Sequence, residues 1–239
     1  MTDEEKFIES LYEEANEELK EVYMQQKESR DELLKEIAMI MLTYTVIDGL
    51  MDIKKNDKDK IYKKLSGLII ANYKNISNKE IEVLNNILES TVKKTFNFYS
   101  YNDGLKDVRR VVESNFKGKH FSERVWENEN EVAKYLHKQV DNFLNCKINV
   151  NKIKKDIEKT FDTSAYNAKR LVETEVNKCE DEAFRMFCKE TGVKKIIRNE
   201  VLDRKTCEEC ASIDGKVYSL NDAPGVVHPL CRGFNTIYK

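Results

Sequence analysis

The residues of this chain that could carry chemistry are concentrated near its C-terminus. Cys207 and Cys210 form a C-x2-C pair, and His228 and Cys231 form an H-x2-C pair after an intervening loop. Two close pairs of thiol and imidazole ligands can hold one tetrahedral ion, and this donor set selects zinc over calcium or magnesium. The spacing therefore predicts a structural zinc site with these four residues as its ligands.

Three other interpretations compete with a metal site. In the first, the cysteines are ordinary buried thiols. In the second they form a disulfide, which the lack of a secretion signal disfavours. In the third, Cys207 or Cys231 is a nucleophile with His228 as its base, but no orienting aspartate or asparagine stands out.

The sequence also lacks the P-loop, G-x-G-x-x-G, H-E-x-x-H and G-x-S-x-G motifs, so we expect a protein that is not an enzyme.

A short basic run lies immediately before the cluster. Lysine and arginine beside a metal module can contact phosphates, so these cations are candidates for contact with nucleic acid or a protein partner. The candidates are Lys194, Lys195, Arg198, Arg204, Lys205 and Arg232. The run favours a second hypothesis, a nucleic-acid-binding zinc protein. A solvated strand edge is the simpler explanation, because edge strands often carry lysine.

The composition predicts a globular protein made mainly of helices. The chain has 239 residues and a net charge of -2, which is not the basic excess of a general nucleic-acid binder. Two prolines and eight glycines interrupt it rarely, which favours long helices. Its acidic start, MTDEEKFIES, is not a secretion signal. The apolar stretch at 37–50 is too short to span a bilayer and contains Asp48, so we expect a buried helix and no membrane partner.

Hydrophobic periodicity places the helices that must position the cluster. We expect helix from residue 3 to about 50 with one break, and a polar break at 54–60. A capping box at 77–80 then opens a further helix. Two helices fill 147–190, and the N-cap of the second lies at 162–164.

The hydrophobic period changes after Gly192, which we expect to stop the last long helix. Residues 193–203 are predicted as a strand, Asp214 and Gly215 as a tight hairpin turn, and the final residues as another strand. The predicted fold is mainly α with a small C-terminal antiparallel β module: long helices are followed by a Cys/His-rich hairpin module at about 193–239.

Residues 120–236 contain three successive segments with a shared resemblance. These are FSERVWENENEVAKYLHKQV, FDTSAYNAKRLVETE and VLDRKTCEECASIDGKVYSLNDAPGVVHPLCRGF. In this order they resemble the phage minor head proteins, head morphogenesis proteins similar to the F protein of phage Mu. The most specific landmark is the series D-x-x-T-C-x-x-C, D-G-K-V-[FY] and H-P-x-C-R. Its members here are Asp203, Thr206, Cys207, Cys210, Asp214, Gly215, Lys216, Val217, Tyr218, His228, Pro229, Cys231 and Arg232.

The resemblance implies a virion or prophage structural protein that supports head assembly, DNA packaging or DNA delivery without a catalytic step. It divides the chain into a helical N-terminal region at 1–119 and a head morphogenesis domain at 120–239. The implied partners are the portal and other head proteins, with packaged DNA as a further candidate. The implied location is the virion head, and the bacterial host cytoplasm during assembly.

Two segments depart from the family pattern. The family helix usually carries R-T-E, whereas residues 173–175 are E-T-E, so Glu173 stands where arginine is expected. Arg170, one turn earlier, is a candidate replacement for that arginine. The family usually continues C-R-[CS]-T, whereas Gly233 and Phe234 follow C-R here. The four candidate metal ligands are unaffected by these changes.

Overall fold

The computed structural model describes residues 2–101, 104–201 and 206–238, which are mainly helical. The helices are α1 (Asp3–Glu18), α2 (Lys20–Thr43), α3 (Lys55–Phe98), α4 (Leu105–Val112), α5 (Phe121–Leu144), α6 (Val150–Glu190) and α7 (Glu208–Ile213). The strands are β1 (Thr45–Ile47), β2 (Leu50–Asp52), β3 (Lys195–Asn199), β4 (Val217–Ser219) and β5 (Phe234–Ile237). The predicted class, mainly α with a small C-terminal antiparallel β module, is confirmed. No helix in these ranges combines the length and apolarity needed to cross a membrane.

The chain forms two compact units, and each is assembled from separate stretches of sequence. Unit 1 contains Met1–Leu19, Glu82–Phe121 and Lys169–Lys239, and unit 2 contains Lys20–Ile81 and Ser122–Ala168. Two long helices take part in both units: α3 and α6 each contribute one part to unit 1 and the other part to unit 2. The predicted regions 1–119 and 120–239 are therefore not the two units, since each unit takes residues from both regions.

Unit 2 has an apolar core drawn from α2, α3, α5 and the first part of α6. Aliphatic and aromatic side chains at helical spacing meet there, as the periodicity predicts. Its fully or almost fully buried members include Leu33, Ile37, Leu65, Ile69, Val140, Phe143, Ile153 and Ile157.

Residues 37–50 do not form the single buried helix that their apolar character predicts. α2 ends at Thr43, and β1 and β2 then pair as an antiparallel hairpin with Ile47 opposite Leu50. Asp48 and Gly49 have φ angles of 50° and 78°, the left-handed values that a two-residue turn requires. The Asp-Gly pair adopts these angles readily, which favours a hairpin over continued helix after Thr43.

Both capping signals predicted within 77–80 and 162–164 are wrong. α3 is continuous and begins inside the predicted polar break at 54–60, and α6 is continuous to Glu190. Ser77, Glu80 and Ser164 are instead almost completely buried in unit 2. The residues that resemble a helix start are thus interior polar groups, a possibility that local sequence cannot separate from a cap.

The C-terminal sheet has three short antiparallel strands in the order β4-β3-β5. The strands predicted within 193–203 and at the C-terminus are therefore confirmed. Gly192, with a φ of 74°, follows the end of α6 as predicted. Asp214 and Gly215 do not join two strands: Asp214 caps the end of α7, and Gly215 leads toward β4. The sheet buries Ile196 against the last turns of α6.

Candidate metal centre

The C-x2-C pair lies at the start of α7. Cys207 is the N-cap residue, and its Sγ accepts a hydrogen bond from the backbone N–H of Cys210 at 3.4 Å. The pKa of the Cys207 thiol is lowered, and this hydrogen bond is the main cause. Cys210 is buried, and burial raises the pKa of its thiol. The start of the helix therefore favours the thiolate, the metal-binding form, at Cys207.

A tight turn shapes the second pair. The backbone N–H of Cys231 donates to the carbonyl oxygen of His228 at 3.1 Å, and Leu230 has a φ of 65°. Nδ1 of His228 lies 2.8 Å from the carbonyl oxygen of Pro229, which can only accept a hydrogen bond. Nδ1 therefore carries the proton in the neutral ring, and Nε2 is left free to bind a metal.

The structure brings Cys207, Cys210 and His228 together as a triad. Nε2 of His228 lies 3.3 Å from Sγ of Cys207 and 3.2 Å from Sγ of Cys210, and all three atoms lie within 4.8 Å of one another. Metal–ligand bonds of 2.0–2.3 Å around tetrahedral zinc imply donor separations of about 3.5–3.8 Å. The triad is close to that spacing, so it could hold a metal ion.

Cys231, the fourth predicted ligand, belongs to a second and overlapping group. Its Sγ lies 3.9 Å from Sγ of Cys210, and these two atoms and a carboxylate oxygen of Glu200 lie within 4.8 Å of one another. Cys231 is not in the group that joins Cys207 and His228. A four-ligand site therefore requires a shift of Cys231 Sγ toward the triad.

Arg198 is an internal part of this site, which corrects its prediction as an external phosphate contact. It is 0% exposed, its Nε donates to Oε1 of Glu200 at 2.7 Å, and its Nη2 donates to Sγ of Cys231 at 3.4 Å. Strand β3 buries alternate residues, so Arg198 faces inward with Ile196. The guanidinium therefore joins Cys231 to the buried Arg198–Glu200 pair.

Three of the other predicted contact residues are exposed, and two lie outside the residues that the structure describes. Lys194, Lys195 and Arg232 are exposed. Arg204 and Lys205 lie outside the described residues, as does Asp203 of the motif series. A contact made by the exposed cations stays a prediction.

One face of α6 holds the loop that carries the second pair. Its polar residues recur every three or four positions, the spacing of one helix face. We call this set, Thr174, Asn177, Asp181 and Arg185, the α6 stripe. Asn177 Nδ2 donates to the carbonyl oxygens of Cys231 and Gly233, at 3.1 and 2.9 Å. Thr174 Oγ1 accepts from the backbone N–H of Leu230 at 3.3 Å.

The far end of the α6 stripe is a partly buried ion pair. Asp181 accepts hydrogen bonds from Nε of Arg185 and Nδ2 of Asn235, both at 2.7 Å. Arg185 also donates to the carbonyl oxygens of Leu220 and Ala223, at 2.7 and 3.0 Å. Asn235 belongs to β5, so the stripe joins the helix to both the loop and the sheet. This role is not among the sequence-based predictions, and its signal in the sequence is the recurrence of polar residues at helical spacing.

The E-T-E segment lies in the same buried part of α6. Glu173 is 4% exposed, and its carboxylate lies 3.6 Å from Nζ of Lys169. Glu175 is fully buried, and its carboxylate lies 3.4 Å from Nζ of Lys178. Arg170, the predicted replacement for the family arginine, is exposed. Lysines of α6 therefore pair with the two glutamates, whereas the predicted replacement Arg170 lies at an exposed position.

The site combines a three-donor cluster with a layer of buried hydrogen bonds that holds its loops. Its thiols and imidazole can bind a soft or borderline metal ion, and the surrounding groups orient these donors. The other cysteines lie apart from it: Cys179 and Cys188 are fully buried, and Sγ of Cys146 donates to the carbonyl oxygen of Met51 at 2.8 Å. Comparison of the chain with protein-family models, curated proteins and solved structures finds no match.

Proposed function

We propose that this chain is a phage or prophage minor head protein with a C-terminal structural zinc module. The ordered motif series and its resemblance to the head morphogenesis proteins support the first part. The triad of Cys207, Cys210 and His228 supports the second part, since Nε2 of His228 lies 3.2–3.3 Å from both sulfurs and all three donor atoms lie within 4.8 Å of one another. One observation carries the proposal: the C-x2-C, H-P-x-C-R and E-T-E segments, far apart in sequence, meet at one site.

The proposed role of the metal is to hold loops in place. Zinc bound to the triad would tie α7 to the 228–231 turn, while the α6 stripe ties that turn to the helix. No residue is assigned a catalytic role. The proposed partners are the portal and other head proteins, and the proposed location is the virion head, with the host cytoplasm during assembly.

Particle composition tests the head-protein role. Particles are induced from a strain that carries the gene, purified on a density gradient, and analysed by quantitative mass spectrometry. We expect the chain to co-purify with DNA-filled heads at a constant number of copies per particle, and its deletion to reduce the yield of filled heads. Absence from purified heads together with normal particle yield from the deletion strain would overturn the proposal.

Metal content tests the structural module independently. Elemental analysis of protein purified without chelator or metal affinity resin should give about one zinc per chain. Cys210→Ala should lose the zinc and expose the segment after residue 206 to protease. Cys146→Ala is the matched control, because Cys146 lies outside the cluster and its variant should keep the metal. Metal-free protein from fresh, reduced cells, or zinc retained by Cys210→Ala, would contradict the zinc assignment.

A further inference from the structure

Unit 2 contains a second candidate site, an open groove between α5 and the first part of α6. It has a volume of about 580 Å³, which lies in the range of small-ligand sites. Its floor includes the buried side chains of Val132 and Thr160. We call this feature the α5–α6 groove. Nothing in the metal site or the motif series uses it.

Lysines concentrate on the lining of the α5–α6 groove. Lys134 and Lys138 stand one turn apart on α5, and Lys159 faces them from α6. Lys134 pairs with Glu131 at 2.7 Å. Lys138 and Lys159 are exposed and make no ion pair within the described ranges. The groove therefore offers two uncompensated cations in a chain whose net charge is -2.

Aromatic and neutral polar groups complete the lining. Tyr135 lies between the two α5 lysines in sequence, lines the groove and is 43% exposed, so part of its side chain is accessible to a ligand. Thr163, Asn128 and Asn167 supply hydroxyl and amide groups along the rest of the groove. Cations with an exposed aromatic ring fit a nucleic-acid strand, because phosphates pair with lysine and bases stack on the ring. An acidic peptide would use the cations but leave the ring without a stacking partner.

We propose that the α5–α6 groove binds single-stranded nucleic acid, with Lys138 and Lys159 on the phosphates and Tyr135 under a base. The groove is a candidate nucleic-acid surface separate from the C-terminal basic run, of which Arg198 is buried while Lys194, Lys195 and Arg232 are exposed. It deepens the proposed head function by naming a partner surface, and it rests on that function for the biological source of the strand. The binding chemistry itself needs neither the metal nor the head.

Fluorescence anisotropy of the full chain with a labelled ten-nucleotide oligo-dT tests the inference. We expect saturable binding that weakens with salt. Lys138→Ala/Lys159→Ala should weaken it at least tenfold at low salt and reduce the log–log salt slope by about 1.4, or about 0.7 per lost phosphate contact. Tyr135→Ala should weaken it by about tenfold, the loss of roughly one stacked base.

Matched controls separate the groove from general charge. Lys63→Ala/Lys74→Ala removes the same charge from exposed positions of α3, and Tyr166→Ala removes an exposed ring of α6 outside the groove. Both should bind oligo-dT like the natural chain. Absent binding, equal loss in the control variants, or equal affinity for a duplex or polyglutamate would overturn the inference. Such failure with normal incorporation into purified heads would leave the proposed function standing.

Discussion

Gly233 lies where no side chain fits. A Cβ at this position would overlap the guanidinium of Arg198 and the carboxylate of Glu200, a pair that is itself buried beside Cys231. Neither group can withdraw without losing its hydrogen bonds. The glycine that departs from the family's C-R-[CS]-T pattern is therefore a packing requirement of this chain.

Gly233→Ala should lower the free energy of unfolding by about 1–3 kcal/mol, the usual cost of overpacking a buried position. Urea denaturation measures it. Gly67→Ala is the control, because Gly67 lies inside α3 with open space around it, and alanine should stabilise that helix by roughly 0.5–1 kcal/mol. Equal stability of the two variants would contradict the packing argument at Gly233.

Two buried carboxyl groups of unit 2 should make stability depend on pH. Burial raises the pKa of Glu80 to about 8, and the charge of Glu129 adds to the shift. Burial also raises the pKa of Glu129 to about 7, although Ser164 donates to its Oε1 at 2.6 Å. Among the residues that the structure describes, neither carboxylate oxygen of Glu80 has a hydrogen-bond partner. The folded chain therefore binds more protons than the unfolded chain between pH 4.5 and 8.

The free energy of unfolding should consequently fall as the pH rises through that range, by an amount on the order of 2–4 kcal/mol for Glu80. Glu80→Gln cannot ionise, so it should remove the contribution of Glu80 to this slope and be more stable than the natural chain at pH 8.5. Urea midpoints between pH 5.5 and 8.5 measure the slope. Glu28→Gln, at an exposed position of α2, should leave it unchanged. An unaltered slope in Glu80→Gln would show that Glu80 is ionised in the folded chain.

At the scale of elements, α6 organises unit 1. Residues 171–181 of this helix are all buried, including several charged side chains. Burying a charge is costly unless the group is paired, and Asp181 of the α6 stripe is paired with Arg185 and with Asn235 of β5. Asn177 of the stripe bonds to the C-terminal loop. These hydrogen bonds therefore stabilise both the buried polar groups of α6 and the C-terminal loop.

Asp181→Ala should release the C-terminal segment from α6. Arg185 and Asn235 would lose their shared carboxylate, and breaking such a buried pair costs about 3–5 kcal/mol. Hydrogen exchange should speed up over residues 220–238, and the melting temperature should fall. Asp162→Ala, at an exposed position of α6, is expected to change neither measurement. Unchanged exchange in Asp181→Ala would mean that the apolar contacts of Ile196 and Phe184 suffice to hold the sheet.

At the scale of the whole molecule, the two units share the long helices α3 and α6. Residues 120–239, the region that resembles the head proteins, contain only part of each unit. Expressed alone, this fragment should therefore lack a cooperative unfolding transition, whereas the full chain should show one or two. Circular dichroism during heating and size-exclusion chromatography make the comparison. A compact fragment with sharp melting would show that residues 1–119 are dispensable for its folding.

The sequence by itself determined the helical class, the strands near the C-terminus and three of the donors that meet in space. Composition, hydrophobic period and short ligand spacings are local properties of the chain, so they can be recognised before the fold is known. Asp48 and Gly49 show the limit of such signals, because the same dipeptide that turns a hairpin there only ends a short helix at Asp214 and Gly215.

Only the tertiary structure decided which polar residues are buried. Ser77 and Glu80 match a helix cap, and Arg198 matches an exposed basic run, yet all three are buried at 0–1% exposure. The α6 stripe and the division into two units could not be predicted from the sequence either. Each depends on contacts between residues far apart in the chain, such as Asn177 with Gly233, and these contacts decide whether a polar group meets water or a buried partner.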